Sequence, residues 1–128
     1  GFWQLIKTGL KTTNRTIQMT RIESWATLGV PDVMFCAENG AFSFAELKVQ
    51  HGNAKKVALS AHQVAWQIRH GHSNSFVVLR GSDLVIRAFS GRDSVDLVMV
   101  GIDAVEPAAS FAEPYDFEAF YSLICPLD

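Results

Sequence analysis

A chain of 128 residues, 48% of them hydrophobic, suits one compact domain spanning 1–128 and leaves little length for a second. No apolar run approaches the length of a membrane span and nothing resembles a signal peptide, so neither a membrane protein nor a secreted one is expected. Net charge is −2, yet residues 1–92 hold all 11 Lys and Arg, whereas residues 93–128 hold acids and no Lys or Arg. Such segregation leaves a basic face on an acidic protein if it survives folding.

The chain begins at Gly1 without a Met, so the native start is expected to be trimmed or replaced. Residues 2–10, FWQLIKTGL, are apolar at 2, 3, 5, 6 and 10, a short amphipathic helix. KTTNRT is a polar loop, and IQMTRIES (17–24) reads as a strand. Residues 32–37 and 41–49 are strands apolar on both faces, as central strands covered above and below must be. After the basic loop HGNAKK comes SAHQVAWQIRHG, a helix. Ser60 and Gln63 have capping-box spacing, Ala61, Val64, Ala65 and Ile68 form the expected buried stripe, and Gly71 is a stop. SFVVLRGSDLVIRAF is a hairpin turning at Gly81-Ser82. VDLVMVGI is strand-like, a Pro/Ala loop follows, and a last helix occupies about 116–124 before Pro126. The sum is a mixed α/β layer fold. Cys36 and Cys125, far apart in apolar surroundings, read as reduced core thiols of an intracellular, cytoplasmic protein.

Three charges interrupt the central strands: Asp32, Glu46 and Lys48. A two-residue Asn39-Gly40 turn would set Asp32 opposite Leu47 and send Glu46 and Lys48 to the other face. A three-residue Glu38-Asn39-Gly40 turn, with glycine in the left-handed conformation, would set Asp32 opposite Glu46 with Lys48 on the same face. The turn residues suit both. Scattered charges in a covered sheet would each cost several kcal/mol, whereas clustered ones share a cation and one another, so burial favours the second register. Two carboxylates and an ammonium so placed suit a hard divalent cation such as Mg²⁺. The chemistry they would support is phosphodiester hydrolysis, with the cation holding the scissile phosphate and Lys48 orienting water or stabilising charge on phosphorus.

Pro31-Asp32 followed by Glu46-Leu47-Lys48 resembles the signature of the PD-(D/E)XK nuclease superfamily. RIESWATLGVPDVMF and LSAHQVAWQIRHGHSNSFVVLR are similar to segments of its small phage-type VRR-NUC and Holliday-junction-resolvase-like nucleases, a match over roughly residues 17–89. The resemblance implies a restriction-endonuclease-like α-β-β-β-α-β core, here about 2–90, with 93–128 as an acidic extension. It implies Asp32, Glu46 and the Leu47 carbonyl as ligands of Mg²⁺ or Mn²⁺, Glu23 as a further ligand, Lys48 as the catalytic amine and Gln63 facing the site. It also implies a DNA endonuclease acting on branched or junction DNA as a homodimer. The aromatic run FEAFYSLI is a candidate dimer surface, and Lys55, Lys56, Arg69 and Arg80 are candidate DNA-backbone contacts. The acidic overall charge departs from the basic character usual among resolvase-like members.

Blander readings compete. The capping box alone accounts for Gln63, and Trp66 reads as packing. His51, His62, His70 and His72 lack zinc-ligand spacing and read as surface residues. A nuclease-like fold that binds nucleic acid or protein without cutting is the alternative to an enzyme.

Overall fold

The computed structural model describes residues 1–23 and 26–126. In chain order the elements are α1 (Phe2–Lys11), β1 (Ile17–Arg21), β2 (Val33–Ala37), β3 (Phe42–Val49), α2 (Ala61–Arg69), β4 (Ser75–Arg80), β5 (Ile86–Ser90), α3 (Ser94–Met99), β6 (Ala109–Phe111) and α4 (Phe117–Ile124). The strands form one six-stranded sheet in the order β1-β2-β3-β4-β5-β6. Every neighbouring pair is antiparallel except β3–β4, which is parallel and crosses over through α2. The expected mixed α/β architecture and its α-β-β-β-α-β order are present in α1 through β4.

Side-chain alternation along the strands sends one set of apolar residues to each face. Val33, Phe35, Ala37, Ala45, Val78, Ile86 and Ala88 pack under α1 and α4, against Ile6, Leu10, Phe120 and Ile124. Val77, Leu79 and Phe89 face the other way, against Leu97 of α3 and the segments carrying Val57, Ile102 and Val105. The sheet is therefore covered on both sides, as its doubly apolar strands require.

Four expectations need correction. The Val-rich stretch expected as a strand forms α3 instead; Leu97 is its one fully buried apolar side chain, and Gly101 (φ +124) turns the chain sharply afterwards. The Pro/Ala loop contains β6, three residues added to the sheet beside β5. The apolar stripe of α2 is not buried: Ala61 and Ile68 are exposed, and with Val64, Ala65, Leu59, Val95, Val98 and Met99 they line an open groove of about 390 Å³ between α2 and α3. The helix instead turns Gln63, Trp66 and Gln67 inward, at i, i+3 and i+4, and Trp66 and Gln67 are its buried residues. The aromatic run of α4 is not free for a second copy either. Phe120, Tyr121 and Ile124 belong to the core, and the Tyr121 hydroxyl ties two strand ends together, donating to Thr16 O at 3.2 Å and accepting from Glu38 N–H at 3.2 Å.

Candidate active site

The geometry begins at the β2–β3 turn. Ala37 N–H donates to Ala41 O and Gly40 N–H to Ala37 O, each at 2.9 Å, and Gly40 has φ +84. This is the three-residue turn, with glycine where the left-handed backbone requires it. The register that follows pairs Val33 with Ala45, Phe35 with Ser43 and Cys36 with Phe42. One step beyond the first pair, Asp32 stands opposite Glu46. Glu46 and Lys48 pair with Val77 and Leu79 of β4, on the face covered by α2 and α3.

Four groups meet there. Asp32 Oδ2 accepts a 3.0 Å bond from Leu47 N–H, standing in for a ladder bond one residue ahead of β2. Phe44 and Gln50 donate toward β4, so the intervening odd residues direct their backbone toward β2, and the Leu47 carbonyl faces the Asp32 side. Glu46, 2% exposed, accepts at Oε1 a 2.5 Å bond from Gln63 Nε2. Its Oε2 is buried and meets no donor among the described residues. Burial pushes the Glu46 carboxyl up to about 8; a hydrogen bond to Asp32 and that residue's charge add to the rise, and Lys48 opposes it. Gln63 holds its place through the capping box: its N–H donates to Ser60 Oγ at 3.1 Å and its Oε1 accepts from Ser60 N–H at 2.9 Å. One side chain thus caps the helix and reaches the buried glutamate, so the two readings of Gln63 describe the same conformation.

The helix is docked by Gly29. At φ +86, a side chain on this residue would overlap the His62 carbonyl, so the segment leading into Pro31-Asp32 rests directly on the first turn of α2. This close approach sets the distance between the strand bearing Asp32 and the helix bearing Gln63.

The donor set fits a hard cation. Two adjacent carboxyls, one with a buried oxygen lacking a donor, and a carbonyl on the same side match the oxygen-rich, partly hydrated coordination that Mg²⁺ and Mn²⁺ accept. Among the described residues no group of three His, Cys, Asp or Glu comes together, so Glu23 does not complete a carboxylate trio. It is exposed just past the end of β1, where Ile22 N–H makes a last bond to Asp32 O at 2.7 Å, and Ser24 and Trp25 after it lie outside the described residues.

The candidate backbone contacts separate. Lys55 is paired with Asp103 at 3.3 Å, and Arg15 with Glu118 at 3.2 Å, so acids of the C-terminal third fold back onto bases of the first part and the charge segregation does not survive intact. Arg80 pairs with Ile86 and Val49, one residue out of phase with Lys48 and Leu79, so it lies on the opposite face of the sheet from Glu46. Arg69 is exposed at the end of α2, and Lys56 lines a cavity beside Lys48. Trp66 is buried, edge-on to Phe44 and stacked on His70 at 3.9 Å, a packing role. Gln67, one turn after Gln63, is buried but packs against Gly91 rather than joining the carboxylates.

No protein-family model matches the chain. No curated protein sequence matches it either. Among solved structures, it is similar to the Holliday junction resolvase Hjc of the archaeal hyperthermophile Archaeoglobus fulgidus, with a TM-score of 0.48 and 19% identity over 71% of this chain and 70% of that one.

Proposed function

We propose that this chain is a divalent-metal-dependent DNA endonuclease of the PD-(D/E)XK type, with Asp32 and Glu46 as metal ligands and Lys48 as the catalytic amine. The observation that carries the reading is the convergence of these three residues with Gln63 on one face of a covered sheet, where charges are expensive and need a reason to be. Mg²⁺ or Mn²⁺, when bound, polarises the scissile phosphate and lowers the pKa of a coordinated water. The chain's own residues do the rest. Leu47 N–H fixes the Asp32 carboxylate. Gln63 Nε2 holds Glu46 in one rotamer. The Lys48 ammonium orients the attacking water and balances charge on phosphorus. Leu47 contributes its carbonyl to the coordination, and Glu23 is left out of it.

Branched DNA is the proposed substrate, cut by a homodimer whose two-fold symmetry matches paired incisions. The test is cleavage of plasmid, flap and four-way-junction DNA with Mg²⁺ or Mn²⁺. Wild type cuts, and Asp32→Ala and Lys48→Ala lose at least about a hundredfold in rate. A wild type inert on all substrates with both metals, yet binding them, would make this a binding fold.

A further inference from the structure

Lys48 also lines a second feature, a cavity of about 240 Å³ next to the candidate active site. Its other lining residues include His51 and Lys56 on the loop after β3, with Val57, Ala58 and Leu79 as apolar wall. We propose that this cavity binds one nucleotide of the cleaved strand, its phosphate on Lys56 and His51 and its base against the apolar wall. The assignment rests on the nuclease reading in drawing that nucleotide from a cleaved strand and in making Lys48 the link between scissile phosphate and cavity.

Three observations support it. The first is a pair of side-chain donors without partners. Lys55, Arg15 and Arg87 each have a carboxylate within 3.3 Å, whereas the side chains of His51 and Lys56 make no hydrogen bond or ion pair with any described residue. Two donors left free beside Lys48 are suited to an anion that approaches from outside. The second is a loop already in place. Gln50 Nε2 donates to Ala54 O at 2.7 Å, and Gln50 Oε1 accepts from Ser82 N–H at 3.0 Å. The Ser82 hydroxyl donates to Gly52 O, Ile102 N–H to Lys55 O at 2.9 Å, and Val57 N–H to Leu97 O at 3.0 Å. A cavity held by bonds at both ends of its loop loses little freedom on binding. The third is size and surface. The volume lies below the ~300 Å³ at which pockets for drug-sized ligands begin, and cations beside an apolar wall match a phosphate joined to a base rather than a free anion.

The experiment uses the full chain, ¹⁵N-labelled, titrated separately with thymidine 5′-monophosphate, thymidine and inorganic phosphate. The nucleotide should shift amides of residues 48–58 and bind at least tenfold more tightly than either half. Lys56→Ala with His51→Ala should weaken it about tenfold. In cleavage, the same pair should raise KM more than it lowers kcat and reduce the salt dependence of DNA binding by one to two phosphate contacts. Circular dichroism checks that the double variant is folded. Equal binding of inorganic phosphate would mean a plain anion site and overturn the proposal, as would a nucleotide that leaves 48–58 unshifted. Asp32→Ala separates the two readings. If it abolishes cutting while the loop variant changes nothing, the cavity assignment fails and the nuclease stands. If wild type never cuts but the nucleotide still seats on the loop, the cavity stands without the nuclease.

Discussion

Metal affinity should climb with pH because Glu46 must give up a proton to become a ligand. Burial and Asp32 hold its carboxyl at about 8 in the metal-free protein, so near neutrality Glu46 is mostly protonated. A divalent cation displaces that proton. Below pH 8 the apparent association constant should therefore rise about tenfold per pH unit, and above 8 it should level off; from pH 6 to pH 8 the gain is about fiftyfold. Calorimetric titration of Mn²⁺ and Mg²⁺ at pH 6, 7, 8 and 9, in two buffers of different ionisation enthalpy, reads both the affinity and the protons released. Close to one proton should leave per metal at pH 7 and about a tenth at pH 9. An affinity flat between pH 6 and 8, or binding without proton release at pH 7, would refute the idea that the buried carboxyl is the ligand being unmasked.

Other outcomes follow from the same contacts. Without metal, a carboxyl whose folded value is raised stabilises the fold fully below its unfolded value of 4.5 and loses that contribution as pH rises through about 8. Glu46→Gln should flatten this fall and raise the metal-free Tm at pH 8 by several degrees, measured by thermal denaturation, while abolishing cleavage. Ser60→Ala removes one half of the capping box and should cost about 1 kcal/mol in urea unfolding. Its loss of cleavage should be smaller than that of Gln63→Ala, which removes the bond to Glu46 itself. Gly29→Ala meets both a left-handed backbone and the His62 carbonyl, and should cost about 2 kcal/mol or more. Tyr121→Phe removes a hydroxyl bonded on two sides and should cost about 1 kcal/mol by the same denaturation measurement.

The part of the molecule that positions the site was largely legible beforehand. Strands apolar on both faces identified β2 and β3 as central, and the Ser60–Gln63 spacing located the start of α2. The turn was decided by electrostatics rather than by turn chemistry: Glu38-Asn39-Gly40 suits two registers, and only the expense of burying lone charges separates them. What escaped the sequence did so for physical reasons. Val95, Val98 and Val100 have strand propensity, but tertiary packing needed only Leu97 inward and formed a helix around it. In α2, apolar periodicity pointed to the wrong face because two of the three inward positions are glutamines, of which Gln63 reaches the buried Glu46. A three-residue strand such as β6 is too short for period-two alternation to show.

The glycine turn at the far end of the β2–β3 hairpin reaches further than its place suggests. Residues 38–40 touch no charged member of the cluster, yet they fix the phase in which two strands run past each other. Removing one residue there would leave every proposed ligand in the sequence and send Glu46 and Lys48 to the wrong side of the sheet relative to Asp32. The hairpin behaves as a reading frame, and a single-residue deletion in the loop is expected to silence the site as thoroughly as losing one of its carboxylates.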